Sequence, residues 1–371
     1  MSGPADALLA LAHVVEPGDQ RLGALADELG PAALVQAIAD GSVRNRDADA
    51  LRARLDDFDA GTARARAAAL GARIIHRDER DWPTQLDDLG TSRPFALWVM
   101  GTPDLRIAAL KSVAMVGARA STPYGEHVAR DWSGRLADAG WAVASGGAYG
   151  IDAAAHRGVL AVGGVTVCVL ATGIDVAYPR AHDELLARIA DTGLLISESP
   201  LGTQARRQRF LTRNRLIAAL TRATVVVEAA LRSGTTSTAN AAYALNRPVL
   251  AVPGPVTSPM SAGCHLLIRE QLATVAHSWS DAIELLGHGD AVIHAAAQPD
   301  VRATDQLTHD ELRVLDAFPS RRPIDLQSLM RAAGLGLSRV LSAVGTLEAL
   351  GFIEGGGDHW RLARGRAALE P

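Results

Sequence analysis

The chain has 371 residues, of which 48% are hydrophobic and 21% are charged, and its formal net charge at pH 7 is −4. This length predicts two or three domains, and the near-neutral charge excludes a uniformly basic nucleic-acid coat. No run of about 18 apolar residues predicts a membrane span, and the N-terminal apolar stretch lacks the basic start of an export signal, so we expect a cytoplasmic protein.

The first 70 residues predict a small helical domain. Alanine, leucine and arginine recur at helical spacing, with breaks at Gly30-Pro31 and Gly41-Ser42 and no convincing strand. Two extended runs, Arg73–His76 and Pro94–Met100, follow within residues 71–111. We interpret residues 71–111 as a segment that joins the helical domain to the next one.

Residues 112–287 predict a doubly wound α/β domain. Six short β-branched runs alternate there with helical stretches: SVAMVG, WAVASG, VTVCVL, GLLISES, TVVVEAA and PVLAVPG. That alternation predicts a mostly parallel sheet with helices on both faces. Ligands of such sheets bind beyond the carboxyl ends of the strands, so the residues after each run are the candidate site.

The C-terminal part of the chain predicts a linker and a last small domain. Residues 288–306 show no strong period and are typical of a linker. Within residues 307–371 we predict helices at Leu307–Phe318, Ile324–Ala333 and Ser338–Leu350, then a hairpin with the sequence FIEGGGDHWRL. This order is typical of a winged helix, although few basic residues accompany its second and third helices.

The loop after the first predicted strand can bind an anion. Gly117 allows a ligand to approach the backbone, and a helix predicted from about Glu126 offers unpaired N–H groups. Arg119 could then hold a phosphate. The alternative is a tight turn with a solvated arginine, and this motif alone does not decide between them.

The loop after the second predicted strand contains Ser145, Gly146 and Gly147, and its glycines beside a helix start suggest a phosphate cradle. It matches neither the dinucleotide fingerprint nor a P-loop, so ATP and NAD are not supported, and we expect no cofactor. Asp152 and His156 lie one helical turn apart, and an Asp–His dyad is possible there. We favour a structural role, with Asp152 as an N-cap, because no nucleophile motif accompanies the pair. The two cysteines have no CxxC spacing, so we expect no metal site and no disulfide framework.

The densest basic cluster follows the fourth predicted strand. Five arginines surround Phe210 within residues 206–215. Arginine forks can hold successive phosphates while an aromatic ring stacks on a base, the combination used for single-stranded nucleic acids. The alternative is that Phe210 belongs to the core and the arginines form a solvated face. We favour function because the cluster lies at the carboxyl end of a strand.

A third candidate anion site follows the fifth predicted strand, where hydroxyls and a glycine open a helix at Ser233, Gly234 and Thr235. Glu228 precedes this loop. Its carboxylate could accept hydrogen bonds from backbone N–H groups, pair with an arginine, or act as an acid, and we favour a bonding role.

Taken together, these motifs resemble, in order and spacing, those of the DNA processing protein A (DprA, Smf) family over about Ser112 to Leu286. The segments concerned are VGARASTPYG, SGGAYGIDAAAH, ATGIDVAYP, SESP, FLTRNRLIA, VVVEA, SGTTSTA and AVPGPV. One departure is Gly263-Cys264-His265, where the family often has Gly-Thr-Asn. The flanking regions also resemble the SAM-like and winged-helix domains of longer members.

The resemblance implies a Rossmann-like core that binds single-stranded DNA without altering it chemically. It also implies a homodimer that protects incoming DNA, helps to load the RecA recombinase during natural transformation, and has the single-stranded DNA-binding protein as a further candidate partner. Carried over by position, Arg119 and Arg207 would hold phosphates and Phe210 would contact a base. The remaining residues would shape or line the pocket: Gly117, Ser145, Gly146, Gly147, Arg213, Asn214, Ser233, Gly234 and Thr235.

Two other functions stay open from the sequence. A nucleotide phosphoribohydrolase with a Rossmann-like core would carry a P-G-G-x-G-T-x-x-E motif, but the position of its glutamate falls on Thr238 here. Without that carboxylate the expected acid or base is missing. The other alternative is a winged-helix transcription regulator that senses a nucleotide through the central domain.

Overall fold

The computed structural model describes residues 3–43, 47–231, 233–286, 307–319 and 322–363. The predicted linker at 288–306 and Arg232 lie outside these ranges. The chain divides into two compact units, Met1–Ala295 and Ala296–Pro371.

The first unit begins with five helices, as the spacing predicts. They are α1 (Pro4–Val14), α2 (Gln20–Leu29), α3 (Pro31–Ala39), α4 (Ala48–Asp56) and α5 (Ala60–Ala69). The side chain of Asp19 accepts hydrogen bonds from the first N–H groups of α2, and Asp59 does the same for α5. Leucines 11, 22 and 34 meet in the apolar cluster that holds α1, α2 and α3 together. Among the described residues no single helix is long and apolar enough to cross a membrane; the bent pair α2 and α3 meets those criteria only when the two are joined.

Nine strands of the first unit form one sheet. They are β1 (Ala72–Ile75), β2 (Leu97–Met100), β3 (Ser112–Val116), β4 (Ala142–Ser145), β5 (Thr166–Leu170), β6 (Leu194–Ser197), β7 (Ala223–Val226), β8 (Val249–Ala251) and β9 (Thr274–Val275). The order across the sheet is β1-β2-β6-β5-β4-β3-β7-β8-β9. Neighbours from β6 to β9 are parallel, whereas β1 and β2 add an antiparallel edge. All six predicted runs are strands, and the two extended runs before them are the added edge.

Helices cover both faces of this sheet. They are α6 (Leu105–Leu110), α7 (Pro123–Asp138), α8 (Ile151–Ala161), α9 (Asp183–Thr192), α10 (Arg207–Leu220), α11 (Thr235–Ala244), α12 (Ala262–Arg269) and α13 (Ser280–Leu285), with 3-10 turns at Thr84–Ser92 and Arg180–His182. Strand β3 shows the two faces directly: Val113 and Met115 belong to one apolar cluster, and Ala114 and Val116 to the other. Successive side chains of a strand point to opposite faces, so the sheet is buried on both sides.

The strand order creates one reversal point. From β3 the chain builds outward through β4, β5 and β6, then returns by α10 to place β7 on the other side of β3. The connections that leave β3 and β7 therefore diverge, and a crevice opens beyond their carboxyl ends. This is the predicted location of the ligand site.

The second unit contains three helices and a small antiparallel sheet. Its elements are α14 (His309–Asp316), β10 (Ile324–Asp325), α15 (Leu326–Ala333), α16 (Leu337–Ala349), β11 (Ile353–Gly356) and β12 (His359–Leu362). The sheet order is β10-β12-β11, and Gly357 has a φ of 71° in the turn that joins β11 to β12. Three helices followed by a hairpin are the order that the sequence predicts; the short strand β10 is an addition.

Candidate functional site

A cavity of about 790 Å³ lies at the reversal point between β3 and β7. Its walls come from the loops after β3, β4 and β5, from α10, and from the loop that leads from β7 into α11. The lining residues are Val116, Gly117, Ala118, Arg119, Ala120, Ala148, Asp152, Tyr178, Ala205, Arg207, Phe210, Leu211, Arg213, Asn214, Ile217, Ala230, Ser233, Gly234, Thr235, Thr238 and Met260. We call this cavity the crevice.

Nine of the twelve predicted site residues line the crevice, so the separate loops do converge. The nine are Gly117, Arg119, Arg207, Phe210, Arg213, Asn214, Ser233, Gly234 and Thr235. Ser145, Gly146 and Gly147 are not among the lining residues.

Glu228 fixes the loop after β3 to the end of β7. Its carboxylate accepts hydrogen bonds from the Thr122 backbone N–H at 2.9 Å and from the Thr122 hydroxyl at 2.6 Å, and the residue is 2% exposed. The Ala118 N–H donates to the Glu228 carbonyl at 2.7 Å. The carboxylate is thus occupied in holding one wall of the crevice, which agrees with the bonding role favoured from the sequence.

Gly117 is required by packing. A Cβ atom at this position would overlap the side chain of Ile151 at the start of α8. The Ile151 N–H in turn donates to the Ala118 carbonyl at 3.2 Å. The glycine therefore lets α8 approach the carboxyl end of β3 and narrows the crevice.

The structure divides the five clustered arginines into two groups. Arg209 pairs with Glu16 at 3.1 Å, and Arg215 pairs with Glu198 at 2.7 Å; both are structural ion pairs. The Arg215–Glu198 pair is nearly buried, with side chains 12% and 10% exposed. Arg206 and Arg207 are exposed and have no carboxylate partner among the described residues.

Arg213 completes the structural group because it is buried, at 6% exposure. Its guanidinium donates to the Val169 carbonyl and fills the space that a side chain on Gly146 would occupy. Burial lowers the pKa of this guanidinium, and the charge of Asp152 opposes that shift. Arg213 therefore shapes the wall of the crevice, as the family resemblance implies, and supplies positive charge from beneath it.

The predicted N-cap role of Asp152 is wrong. Helix α8 begins at Ile151 with Gly150 as its N-cap, since Gly150 adopts a φ of 74° that favours glycine. The Asp152 carboxylate instead accepts from the N–H groups of Gly146 at 3.2 Å and Ala148 at 3.3 Å. Burial raises its pKa, and Arg213 acts in the opposite direction. Asp152 thus holds the glycine loop in place.

The possible Asp–His dyad does not form. Nδ1 of His156 lies 2.7 Å from the Thr166 hydroxyl, and burial lowers the pKa of His156 to about 3. The His156 imidazole is neutral, buried and hydrogen-bonded to Thr166 of β5, so it belongs to the core.

The glycine loop after β4 packs against the core and does not itself line the crevice at Ser145, Gly146 or Gly147. Ser145 is fully buried and its hydroxyl donates to the Met115 carbonyl at 2.6 Å. Gly147 has a φ of 70°, and its carbonyl accepts from Nδ1 of His182 at 2.9 Å. These contacts turn the loop inward, which corrects the expectation that Ser145, Gly146 and Gly147 form a phosphate cradle.

Three side chains that line the crevice, Arg119, Phe210 and Tyr178, contact one another in sequence. Cζ of Arg119 lies 5.0 Å from the centre of the Phe210 ring, within cation–π range. The centre of the Tyr178 ring lies 5.2 Å from that of Phe210, and the two rings are inclined at 48°. Tyr178 is 42% exposed. Arg119 thus covers part of the Phe210 ring, whereas the Tyr178 ring is partly exposed to solvent.

Sequence reasoning missed Tyr178. It lies in the ATGIDVAYP segment, which contributed to the resemblance but received no role. Its position in the loop after β5 was the available signal. The other parallel strands that lead to the crevice are each followed by a candidate residue, so the loop after β5 should have been searched for one as well. A search of each strand's carboxyl end for exposed aromatic residues would have found it.

The last wall of the crevice is the start of α11. The Thr235 N–H donates to the Ser233 hydroxyl at 3.1 Å, and the Asn214 side chain donates to the Gly234 carbonyl at 3.3 Å. Asn214 therefore connects α10 to this loop. Gly234 is the N-cap, and because Gly234 and Thr235 line the crevice, the positive end of the α11 dipole borders it.

The resulting electrostatics favour an anion. The charged residues that line the crevice are Arg119, Arg207 and Arg213 against the single carboxylate of Asp152. Across the described residues, no group of three or more His, Cys, Asp or Glu side chains is placed to hold a metal ion.

Comparisons with known proteins agree with this geometry. The family model for DNA recombination-mediator protein A matches residues 73–287. A Mycobacterium tuberculosis protein named as a DNA processing protein DprA is 41% identical over 368 residues, which cover 96% of this chain and 94% of that protein. Protein Smf of Escherichia coli is 35% identical over 289 residues, 76% of this chain and 74% of that protein.

Two solved structures are similar as well. The crystal structure of DNA processing protein A from Streptococcus pneumoniae has a TM-score of 0.65 and 30% identity, and the match covers 76% of this chain and 98% of that one. The DNA processing protein A of Helicobacter pylori, described with a single-stranded DNA binding mode, has a TM-score of 0.52 and 27% identity over 58% of this chain and 95% of that one. The family model covers more than half of the chain and the relatives cover most of it, so this chain belongs to the DNA recombination-mediator protein A family.

Proposed function

We propose that this protein binds single-stranded DNA in the crevice and acts as a recombination mediator, not as an enzyme. The observation that carries the proposal is the convergence of exposed arginines, the start of helix α11 and a partly exposed aromatic ring at the reversal point of the sheet. The similar Helicobacter pylori protein is described as binding single-stranded DNA, which supports the same ligand here.

The proposed phosphate contacts are Arg119 and Arg207. Both line the crevice, both are exposed, and neither has a carboxylate partner among the described residues. Guanidinium groups without an internal ion pair give up only hydration and counterions when they bind a phosphate diester. The backbone N–H groups at Gly117 and at the start of α11 would complete the seat.

The proposed base contacts are Tyr178 and Phe210. Arg119 covers one part of the Phe210 ring, so the first base would stack on Tyr178 and meet the remaining exposed part of Phe210. Every base has a flat π-surface, so such stacking tolerates any sequence. We therefore expect binding with little sequence preference.

The enzyme alternative lacks its chemical groups. The position of the phosphoribohydrolase glutamate is Thr238, a buried residue of the crevice wall. Glu228 is bonded to Thr122, and Asp152, the one carboxylate that lines the crevice, is bonded to Gly146 and Ala148. No carboxylate among the lining residues is open to act as a general acid or base.

The regulator alternative would place duplex DNA on the second unit. The candidate contacts there are Arg331 and Arg339, but both Nε and Nη2 of Arg339 donate to the Asp310 carboxylate, with 2.6 Å for the Nε bond. One of the two basic groups is thus already neutralised. This favours the crevice over the second unit as the DNA site.

We further propose that the protein works as a cytoplasmic homodimer that protects incoming DNA and helps to load RecA during natural transformation, with the single-stranded DNA-binding protein as a further candidate partner. The support for these partners is membership of the recombination-mediator family.

The test is direct binding of labelled oligo-dT and of a duplex of equal length to the full chain over a range of salt concentrations. We expect binding to the single strand with a steep loss as salt rises, because phosphate contacts release counterions. Preference for the duplex would overturn the proposal in favour of the regulator. Release of base or phosphate from nucleotides by the purified protein would overturn it in favour of the enzyme.

A further inference from the structure

We propose that a second cleft in the first unit extends the DNA path and binds further phosphates of the same strand. The cleft has a volume of about 350 Å³ and lies between the N-terminal helices and the loop after β6. We call it the arginine cleft, after three of its lining residues, Arg54, Arg206 and Arg209. This inference rests on the proposed function of the crevice and assigns a role to the helical segment.

The first residue of α10 and its N-cap line different cavities. Arg207 lines the crevice, and Arg206 lines the arginine cleft. Their Cα atoms are about 3.8 Å apart, as in any trans dipeptide. A DNA strand bound at Arg207 would therefore reach Arg206 next. The other two arginines that line the arginine cleft are Arg209 and Arg54.

The charge of the arginine cleft is positive. Its three guanidinium groups face one carboxylate, Glu16, which accepts from Nη2 of Arg209 at 3.1 Å and lies 3.6 Å from Nη2 of Arg54. One negative charge cannot neutralise two guanidiniums, and Arg206 adds a third that has no ion-pair partner among the described residues. The remaining charge of about two is what successive phosphate diesters would neutralise.

The other walls of the cleft suit a polynucleotide backbone. Pro17 and Leu201 provide apolar surface against which a sugar can lie, and the backbone from Ser199 to Thr203 borders the opening. Burial and the charges of Arg66 and Arg54 lower the pKa of His13, so this imidazole adds no charge at neutral pH. The preference for an anion thus comes from the arginines.

The test measures how much the affinity for DNA increases with the length of the DNA strand, in the parent protein and in variants. Oligo-dT of about 6 nucleotides should fit the crevice, and about 15 nucleotides should reach both cavities, since single-strand sites usually cover about 4 to 16 nucleotides. The parent should bind the longer strand more tightly. Arg54→Ala should reduce that gain about fivefold at about 0.1 M salt and should lower the salt slope for the longer strand by about 0.7, the contribution of one phosphate.

Arg135→Ala is the matched control. Arg135 forms a surface ion pair with Asp131, and its side chain is 45% exposed, against 44% for Arg54. It lies in the last turn of α7 and lines neither the crevice nor the arginine cleft. This control removes the same charge from the protein and should keep the full length gain.

Arg54 also donates to the Val14 carbonyl at 2.8 Å, so Arg54→Ala could loosen α1. Arg206→Ala provides a second variant that breaks no ion pair among the described residues, and it should reduce the length gain by a similar factor. An unchanged length gain in both variants overturns the extended path while leaving the crevice intact. Failure of the parent to bind either strand overturns the proposed function itself.

A final arm of the test uses an oligo-glutamate peptide. If the peptide binds the parent and loses affinity in both variants, while the length gain for oligo-dT is unchanged, the cleft is a docking site for an acidic protein segment and the proposal is wrong.

Discussion

Replacement of Arg119 by alanine tests the proposed phosphate seat most directly. Arg119 is exposed at the mouth of the crevice, has no carboxylate partner among the described residues, and lies 5.0 Å from the Phe210 ring centre. Its loss removes one positive charge and one planar fork without opening the core. The exposed cation–π contact is worth about 0.5 to 1 kcal/mol, so the thermal midpoint should change little.

The expected loss of affinity follows from two contributions. Release of the counterions of one phosphate gives a slope of about 0.7 in log K against log salt, which is a factor of about 5 at 0.1 M salt. A charge-assisted hydrogen bond adds about 1.5 to 3 kcal/mol if the fork binds with both donors, or about 10- to 150-fold. We therefore expect Arg119→Ala to weaken oligo-dT binding at least fivefold, and by about 50- to 750-fold if the fork also binds with both donors.

Fluorescence anisotropy of labelled oligo-dT between about 50 and 200 mM salt measures affinity and slope together. Arg119→Lys is the control: it keeps the charge and should retain the salt slope, but it loses the fork and should bind with intermediate affinity. If folded Arg119→Ala bound oligo-dT with the affinity and slope of the parent, Arg119 would not contact a phosphate and the crevice assignment would be refuted.

Three further outcomes follow from the contacts described above. Arg215→Ala leaves Glu198 buried without its partner and should lower the free energy of unfolding in urea by about 3 kcal/mol or more. Arg209→Ala leaves Glu16, whose side chain is 47% exposed to water, and should cost at most about 1 kcal/mol; equal losses would contradict this difference between the two pairs. Tyr178→Ala should weaken oligo-dT binding by about 1 to 3 kcal/mol and Tyr178→Phe should not, a difference that anisotropy would detect and whose absence would remove the ring from the site. Burial lowers the pKa of His156 in the folded protein to about 3, below its ordinary value of 6.5, so its contribution to stability is complete above pH 6.5 and is lost as pH falls toward 3. His156→Gln should therefore reduce the decline of the unfolding free energy over that pH range. An unchanged decline would show that another group titrates there.

Local sequence signals were sufficient for the sheet and for the edge that carries the site. The β-branched runs that contain Val113, Val167 and Val225 are strands because short apolar runs between turn residues favour buried parallel strands. Parallel strands align their carboxyl ends, so loops far apart in the chain had to meet at one edge. That rule alone brought Gly117, Phe210 and Thr235 to one crevice.

Which charged groups face that crevice was decided by tertiary contacts. Arg209 and Glu16 are 193 positions apart, Arg213 and the Val169 carbonyl are 44 apart, and no local pattern records either pairing. The five clustered arginines look equivalent in sequence, yet burial removes Arg213, and a nearly buried ion pair removes Arg215, from direct contact with a ligand. The same contacts turned Ser145 and its glycines inward and left Tyr178 exposed.

The amino-acid sequence by itself thus determined the strands and the edge of the sheet at which the candidate site lies, because these depend on periodicity and on backbone geometry within a few residues. Only the folded chain decided which guanidinium groups remain available to an anion, because the energy of a charge depends on its burial and on partners that distant segments supply.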